Sequence, residues 1–310
     1  MKLTTKSICT KMLIIPALAF SLNATADNHP LQQAESGKIE RILLPSPELN
    51  DTMTIDVWLP EGFDTDRRYP VLYMHDGQNL YDANTTWNHQ SWEMDSTGGR
   101  LIANGETDPF IIVGIHSDPS KRVSQLMPKR AVADAGLEEL MTEVKLKGQK
   151  VLGDEYAAFV VNTLKPYIDA KFPTLSDREN TSVMGSSMGG LMSLYLICEY
   201  PEVFGGAGCL STHWYGSLDA ADKFGNAMMA YVADRLPDPA THRIYFDHGT
   251  STIDYYYGPW NTRALLTAQE KGYHYGKNLD SYVDYGAPHE ESAWCKRVDR
   301  PLRFLFTPKK

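Results

Sequence analysis

The sequence is poor in cysteine, has no long hydrophobic run after its first 26 residues, and has no excess of basic side chains. Its 310 residues include 30 lysines and arginines against 39 aspartates and glutamates, which gives a net charge of −9. This balance argues against nucleic acid or an anionic membrane surface as a partner. Repeats, low-complexity tracts and linkers are also lacking, which favours a single domain.

The first 26 residues have the pattern of an export signal. Three lysines precede an apolar run at residues 12–22, and Ala-Thr-Ala at 24–26 is a small-x-small cleavage site. The run is too short to span a bilayer stably, and no other stretch is apolar enough for membrane insertion. We predict cleavage after Ala26 and a periplasmic or secreted protein, in preference to an N-terminal core helix. The mature chain then has 27 basic and 39 acidic residues, a net charge of −12.

Three cysteines remain in the mature chain: Cys198, Cys209 and Cys295. In an oxidising compartment this number is compatible with one disulfide and one free thiol, or with three buried free thiols. The nine histidines show no metal-ligand spacing, so we predict no metal site.

Strand-like and helix-like segments alternate along the chain. Residues 52–60, 69–76, 109–117, 180–186, 205–211, 243–249 and 279–286 are strand candidates, and residues 157–172, 191–200, 219–235, 259–271 and 290–307 are helix candidates. This order predicts an α/β fold in which helices cover both faces of a mostly parallel central sheet. We assign residues 27–310 to one such domain.

Three local features complete this outline. Residues 27–37 are polar and are expected to be disordered. Residues 118–150 are long and polar, which indicates an insertion over the edge of the sheet, and such insertions often line a site. Pro166 should kink the helix candidate that contains it, or mark a helix start.

Two adjacent serines stand among glycines in NTSVMGSSMGGLMSLYLICEY. A nucleophile elbow needs glycine two residues before and two residues after its serine, because the strand and the helix pass too close there to admit a Cβ atom. Gly185 and Gly189 flank Ser187 in this way, whereas methionines flank Ser186. A strand candidate precedes the motif and a helix candidate follows it. The sequence therefore predicts Ser187 as a nucleophile, in preference to a glycine-rich turn without catalytic function.

The partners of such a serine follow it in chain order, first an acid and then a histidine. His289 lies between the last strand candidate and the last helix candidate, where a base can reach the serine. Asp247 and Asp254 are near the end of the penultimate strand. We favour Asp254 as the acid because it lies beyond the turn at Gly249, and Asp284 is the third choice.

Further residues are expected to bind the oxyanion and the substrate. The backbone N–H of Met188, at the start of the helix, is one predicted oxyanion donor. The N–H of Gln78, in MHDGQNLYD after an early strand, is the other, with Gly77 as its alternative. Three side chains are predicted to form the wall of the pocket: His213, Trp214 and Tyr255.

Aromatic and basic side chains also occur in the predicted loops. Aromatic faces pack on sugar rings and phenolic acids, and the candidates are Tyr81, Trp87, Trp92, Trp214, Tyr255, Tyr256, Tyr257 and Trp260. Four basic residues of the insertion are expected either to bind an anionic group or to form a solvated face: Lys121, Arg122, Lys129 and Arg130.

Five segments together resemble the esterase D-like "putative esterase" family of α/β-hydrolases: YPVLYMHDGQNLYD, TLKPYIDAKF, RENTSVMGSSMGGLMSLYLICEYPEVFGGAGCLS, YFDHGT and GAPHEESAW. The family includes feruloyl and acetylxylan esterases, siderophore esterases and S-formylglutathione hydrolases. The resemblance covers about residues 40–307. It implies the α/β-hydrolase fold, a Ser187–Asp254–His289 triad and no cofactor.

These features predict a serine esterase that forms an acyl-enzyme with a small-molecule or oligosaccharide ester. The expected substrate is a carbohydrate-linked or phenolic ester, with a feruloyl or acetyl group as the acyl part, or a siderophore ester. Two other functions remain open, namely an acyltransferase on the same fold and a non-catalytic carbohydrate-binding relative. Ser251 and Thr252 stand where relatives often carry an acid, so a Ser187–His289 dyad is a further alternative.

Overall fold

An eight-stranded sheet forms the centre of the computed structural model, which describes residues 30–215 and 221–308. The strands are β1 (Lys38–Ser46), β2 (Asp51–Leu59), β3 (Val71–His75), β4 (Ile111–Ile115), β5 (Thr181–Ser186), β6 (Gly206–Leu210), β7 (Arg243–Gly249) and β8 (Leu279–Asp284). Their order is β1-β2-β4-β3-β5-β6-β7-β8. β2 pairs antiparallel with β1 and with β4, and every other pair is parallel.

Two layers of helices cover the sheet. The helices are α1 (Met94–Ala103), α2 (Arg122–Gln125), α3 (Lys129–Asp134), α4 (Glu138–Val144), α5 (Gly153–Ala158), α6 (Lys165–Lys171), α7 (Met188–Glu199), α8 (Ala221–Arg235), α9 (Gly258–Glu270), α10 (Glu291–Cys295) and α11 (Asp299–Leu305). α1, α10 and α11 contribute to the core on one face, and the other helices contribute to the core on the opposite face.

Side chains along a central strand point alternately into these two cores. Val71 and Tyr73 of β3 pack in the core that contains α7, whereas Leu72 and Met74 pack in the core that contains α11. This alternation explains why β3 is apolar along its whole length. The architecture is the predicted one, a mostly parallel sheet between two helical layers.

All seven predicted strands are present, and their ends lie within two residues of the predicted ones. The sequence missed β1, which is an edge strand with alternating burial and with Pro45 inside it. Proline is tolerated at a sheet edge, because a missing N–H breaks no ladder there. α1 was missed as well.

Two helix predictions need correction. The segment predicted as 157–172 begins earlier, in α5, and continues through a π-helical stretch, Phe159–Leu164, into α6. Pro166 lies in the first turn of α6, directly after this stretch. The single helix predicted at 290–307 is two helices, α10 and α11, separated by three residues.

The predicted insertion folds into three short helices, α2, α3 and α4, which pack on the core that contains α7. The predicted disorder is wrong for residues 30–37, because Gln32 is buried and hydrogen-bonded to Asp56 and Gly77. The predicted signal, residues 1–26, and residues 27–29 lie outside the described residues.

The three cysteines named above are free thiols, and Cys198 and Cys209 are buried. This differs from both arrangements left open by the sequence, since no disulfide joins the three thiols and Cys295 is only partly buried. Within residues 30–215 and 221–308, no helix combines the length and the apolar character needed to cross a membrane.

Glycines let β5 and α7 come into direct backbone contact. A Cβ atom on Gly185 would lie 2.9 Å from the carbonyl carbon of Gly189. A Cβ atom on Gly190 would lie 2.9 Å from the carbonyl oxygen of Leu210 on β6. These distances are too short for an ordinary contact, so the turn between strand and helix depends on residues without side chains.

We expect Gly185→Ala to destabilise the protein by about 1–3 kcal/mol, because the new methyl group forces β5 and α7 apart. Gly258→Ala is the matched control. A Cβ atom there would lie 3.5 Å from the His248 ring, an ordinary contact at the start of α9. Urea unfolding measures both variants. Equal stability of Gly185→Ala and the wild type would show that the elbow tolerates a side chain.

Candidate active site

Ser187 forms the turn between β5 and α7 in a strained backbone conformation, with φ 57° and ψ −121°. A non-glycine residue with such angles is rare and often marks a functional site. Its N–H donates to the carbonyl oxygen of Leu210 at 3.0 Å, and its carbonyl oxygen accepts from His213 N at 3.1 Å. Ser187 is partly exposed, whereas Ser186 is buried at the end of β5.

His289 and Asp254 are in direct contact. Nδ1 of His289 lies 2.5 Å from Oδ1 of Asp254. Asp254 is buried in the 3-10 turn Thr252–Tyr256 that follows β7, while the His289 side chain keeps 17% of its surface exposed. The N–H of His289 donates to Oγ1 of Thr252 at 2.8 Å, which joins the two loops. Because Nδ1 faces the carboxylate, Nε2 is the nitrogen available for proton transfer.

The second carboxylate oxygen of Asp254 accepts two more hydrogen bonds. Gly249 N donates to Oδ2 at 2.6 Å and Oγ of Ser211 donates to it at 2.5 Å. Burial alone would raise the pKa of Asp254, but the hydrogen bonds from His289, Ser211 and Gly249 outweigh burial and hold this pKa below its ordinary value. Asp254 is therefore ionised wherever the protein is folded near neutral pH.

Ser211 was not identified from the sequence. Its Oγ accepts from Nε1 of Trp294 and from Nη2 of Arg297, each at 3.0 Å. Both of these partners are donors only, so the hydroxyl proton of Ser211 must point at Asp254. The serine thus connects the Asp254 carboxylate to two side chains near the C-terminus. Only the tertiary structure brings these residues together.

The two alternative acids pair with Arg297 and not with the histidine. Oδ2 of Asp247 lies 3.1 Å from Nε of Arg297, and Oδ2 of Asp284 lies 3.4 Å from Nη1. Asp247 is fully buried, and burial raises its pKa more than the guanidinium lowers it. Of the three candidate acids, Asp254 is the one that contacts His289.

The two predicted oxyanion donors lie at the starts of two helical turns. In α7 the first helical bond runs from Leu191 N to the oxygen of Ser187, so the N–H of Met188 has no acceptor within the helix. Gln78 lies in a 3-10 turn, Gly77–Asn79, directly after β3. A Cβ atom on Gly189 would lie 3.1 Å from that of His75, so the end of β3 touches the start of α7.

A cleft of about 730 Å³ lies over these residues. Ser187, His289 and Gln78 line it, together with the insertion residue Arg122. Its aromatic walls come from Trp87, Trp92 and Trp294, and its acidic side chains include Asp76, Glu290 and Glu291. Trp87 is 84% exposed, so its indole face is open to solvent at this cleft.

The three side chains predicted to form the pocket wall do not line this cleft. Trp214 is fully buried against Phe246, so it cannot contact a substrate. His213 is buried with Nδ1 2.7 Å from the hydroxyl of Tyr257. Tyr255 is 70% exposed outside the cleft. The positions of these three residues in the sequence did not predict the directions in which their side chains point.

Tyr257, one of the predicted loop aromatics, lies beside Ser187. Burial raises its pKa, and a hydrogen bond with Ser187 lowers this pKa in part. Its ring also meets the His289 ring at 5.7 Å in an edge-on arrangement. Tyr257 therefore packs against both Ser187 and His289.

His75 is a buried histidine at the end of β3. Its Nδ1 lies 2.8 Å from the Tyr156 hydroxyl. Burial is the main reason that the pKa of His75 falls from 6.5 to about 4, and it is opposed by the negative charge of Asp76 and assisted by the positive charge of Arg122. His75 is therefore neutral at pH 7. Within residues 30–215 and 221–308, no group of three or more His, Cys, Asp or Glu side chains is arranged to hold a metal ion.

Residues 46–303 match a family described as "Putative esterase". The endo-1,4-beta-xylanase/feruloyl esterase of Xylanibacter ruminicola is 28% identical over 281 residues, which cover 87% of this chain and 31% of that protein. The chain thus spans about a third of that relative's length. The uncharacterized protein YbbA of Bacillus subtilis is 23% identical over 258 residues, which cover 81% of this chain and 91% of that protein.

Solved structures share the architecture. The IroE-like serine hydrolase from Shewanella oneidensis has a TM-score of 0.66 at 18% identity, covering 87% of this chain and 80% of that one. A ferulic acid esterase has a TM-score of 0.61 at 21% identity, covering 87% and 98%. The enterochelin esterase from Shigella flexneri has a TM-score of 0.64 at 17% identity, covering 89% and 60%. These similarities confirm the predicted α/β-hydrolase fold.

The lowered pKa of His75 predicts that stability depends on pH. The unfolded chain takes up a proton near pH 6.5 and the folded chain only near pH 4, so stability is complete above 6.5 and falls as the pH drops through this window. The loss from this group amounts to about 3 kcal/mol at pH 4. When urea unfolding is measured between pH 4 and 7, the free energy of unfolding should fall less with decreasing pH for His75→Gln than for the wild type. His274→Gln, an exposed site, is the control. Equal losses in all three proteins would contradict a neutral His75.

Proposed function

Because the chain belongs to the "Putative esterase" family, we propose that it is a serine carboxylic-ester hydrolase with Ser187 as nucleophile, His289 as base and Asp254 as acid. One observation carries the proposal. A strained, partly exposed serine and a histidine paired with a buried carboxylate line the same cleft. This is the residue set that acyl transfer requires.

The proposed reaction has two steps. Nε2 of His289 takes the proton of Ser187 while Oγ attacks the acyl carbon, and the N–H groups of Met188 and Gln78 stabilise the oxyanion. The alcohol leaves with the proton from His289. Water, activated by the same imidazole, then releases the acid and restores the serine. Asp254 holds the required tautomer of His289 throughout.

The charges near the cleft favour a neutral ester over an anionic siderophore. All four basic residues that were candidates for binding an anion form ion pairs within the protein: Lys121 with Asp51, Arg122 with Asp76, Lys129 with Glu155 and Arg130 with Glu199. Glu290 and Glu291 add negative charge at the cleft. An anionic ligand would be repelled by these carboxylates.

The aromatic walls support a phenolic or carbohydrate-linked ester. Trp87, which is 84% exposed, provides a face on which a phenolic ring or a sugar can pack, and the almost fully buried Trp92 and Trp294 complete the wall behind it. A feruloyl ester of a plant polysaccharide combines both groups and carries no charge. A relative named as a xylanase/feruloyl esterase supports the same class. Such a polymer is extracellular, which agrees with the proposed export after cleavage at Ala26. The catalytic domain proposed for the exported protein is residues 27–310.

Substrate screening tests this proposal directly. The purified protein should hydrolyse p-nitrophenyl acetate and methyl ferulate, with a preference for feruloylated xylo-oligosaccharide over a catecholate siderophore. Hydrolysis should also dominate when a sugar acceptor is added, because the open cleft admits water. A transfer product as the main product would instead support the acyltransferase alternative.

Ser187→Ala should lower kcat by about 10⁵-fold or more, because the acyl-enzyme cannot form. Ser186→Ala is the matched control, one residue earlier and equally small, and it should keep most of the activity. Both variants should remain folded by circular dichroism. Similar losses from the two substitutions would refute the assignment of Ser187.

Asp254→Asn should lower kcat by about 10³–10⁴-fold, because an amide cannot stabilise the imidazolium and favours the wrong tautomer. Asp284→Asn is the matched control, since its carboxylate is 25% exposed and contacts Arg297 only at 3.4 Å. kcat and KM should be measured separately on methyl ferulate. A raised KM with an unchanged kcat would mean that Asp254 shapes the pocket only, and would favour a Ser187–His289 dyad.

A further inference from the structure

Gln32 lies in an N-terminal arm, which we define as residues 30–37, ahead of β1. Its side chain is only 3% exposed. The amide nitrogen donates to Oδ2 of Asp56 at 2.9 Å and to the carbonyl oxygen of Gly77 at 2.8 Å. The amide oxygen accepts from Tyr81 N at 3.0 Å. One polar side chain therefore fastens the arm to the loop that follows β3.

The surroundings determine the orientation of this amide. Both partners of Nε2 are acceptors, and the partner of Oε1 is a donor, so a flipped amide would lose every hydrogen bond. Asp56 is itself fixed, since Arg41 contacts both of its oxygens at 2.7 Å. His116 Nε2 lies 2.9 Å from its Oδ2. Burial alone would raise the pKa of Asp56, but these contacts hold it far below its ordinary value.

The bond to Gly77 controls the direction of an oxyanion donor. The peptide between Gly77 and Gln78 is planar and trans, so its C=O and N–H point in opposite directions. Gln32 donates to the carbonyl oxygen of Gly77, so this oxygen points towards Gln32. The N–H of Gln78 in the same peptide therefore points away from Gln32. The first bond of the turn runs from Asn79 N to Asp76 O at 2.9 Å, so the turn itself does not use the N–H of Gln78.

The side chain of Gln78 makes a second contact that fixes the turn Gly77–Asn79. Its Oε1 accepts from Ser117 N at 2.9 Å, which ties the turn to the segment after β4. A 3-10 turn of three residues has little internal support, so its orientation depends on such outside contacts. Gln32 provides the contact to the peptide oxygen itself.

We propose that Gln32 is a positioning residue for the oxyanion hole. It orients the Gly77–Gln78 peptide so that the N–H of Gln78 faces the oxygen that becomes negative during acyl transfer. The inference rests on the proposed function, because it gives Gln32 a role only if Ser187 attacks an ester. It also makes the polar N-terminal arm a part of the catalytic support.

Gln32→Met tests this role, because methionine has a similar length but cannot donate to Gly77. We expect kcat on methyl ferulate to fall about 10–100-fold with KM changed less than about threefold, since a misaligned donor acts on the transition state. The inhibition constant of phenylboronic acid, which forms a tetrahedral adduct on the serine, should rise by a similar factor. Gln33→Met is the matched control, as this neighbouring side chain is exposed, and it should behave like the wild type.

The outcomes separate this inference from the proposed function. If Gln32→Met lowers the melting temperature but keeps wild-type kcat and boronate inhibition at a temperature where it is folded, Gln32 is a structural latch and the inference fails. If the wild type hydrolyses no ester and phenylboronic acid does not bind, the proposed function itself fails. Should Gln32→Met not fold, Gln32→Leu, which likewise removes the donor to Gly77 and fills most of the space, replaces it, and the same loss of kcat and of boronate affinity is expected.

Discussion

The close packing of α7 against β5 and β6 is the constraint on which the candidate site depends. The helix is buried on all sides, with 11 of its residues inaccessible, so its burial stabilises the fold strongly. That packing holds Ser187 at φ 57°, a conformation that costs on the order of 1–3 kcal/mol. The same closeness requires Gly185 and Gly189. The proposed nucleophile is thus held by the buried core of the protein and not by a surface loop.

Buried charge is arranged around Arg297 so that Asp254 keeps one oxygen for His289. Arg297 pairs with Asp247 and reaches Asp254 only through the hydroxyl of Ser211. A direct ion pair between Arg297 and Asp254 would compete with the imidazole for the carboxylate. Because Ser211 lies between the two side chains, the carboxylate of Asp254 accepts a hydrogen bond from the serine hydroxyl and does not contact the positive charge of Arg297 directly. Breaking a buried ion pair is costly, so this arrangement also fastens the C-terminal helices to the sheet.

The sequence predicted what local rules determine, and missed what long-range contacts determine. The elbow motif needs only neighbours in the chain, and the strand-to-helix turn that it predicts is present at Ser187. His289 and Asp254 followed from chain order, and the structure brings them into contact. The pocket wall was predicted less well, because loop position does not give side-chain direction, as buried Trp214 illustrates. Ser211 and Gln32 have no local signature, since their partners lie 43 and 45 residues away in the sequence.

The two predicted oxyanion donors differ in the contacts that determine the direction of their N–H groups. The N–H of Met188 belongs to a buried helix, so the bonds of α7 determine its direction. The N–H of Gln78 belongs to a three-residue turn that needs side-chain contacts from other parts of the chain. Part of that support comes from the polar N-terminal arm, which is ordered by several contacts of its own. Ala34 packs on the core that contains α1, and the N–H of Glu35 donates to Asp95 at 2.6 Å. Because these contacts hold the arm in place, Gln32 can donate to Gly77 a hydrogen bond that the loop after β3 does not supply from its own residues.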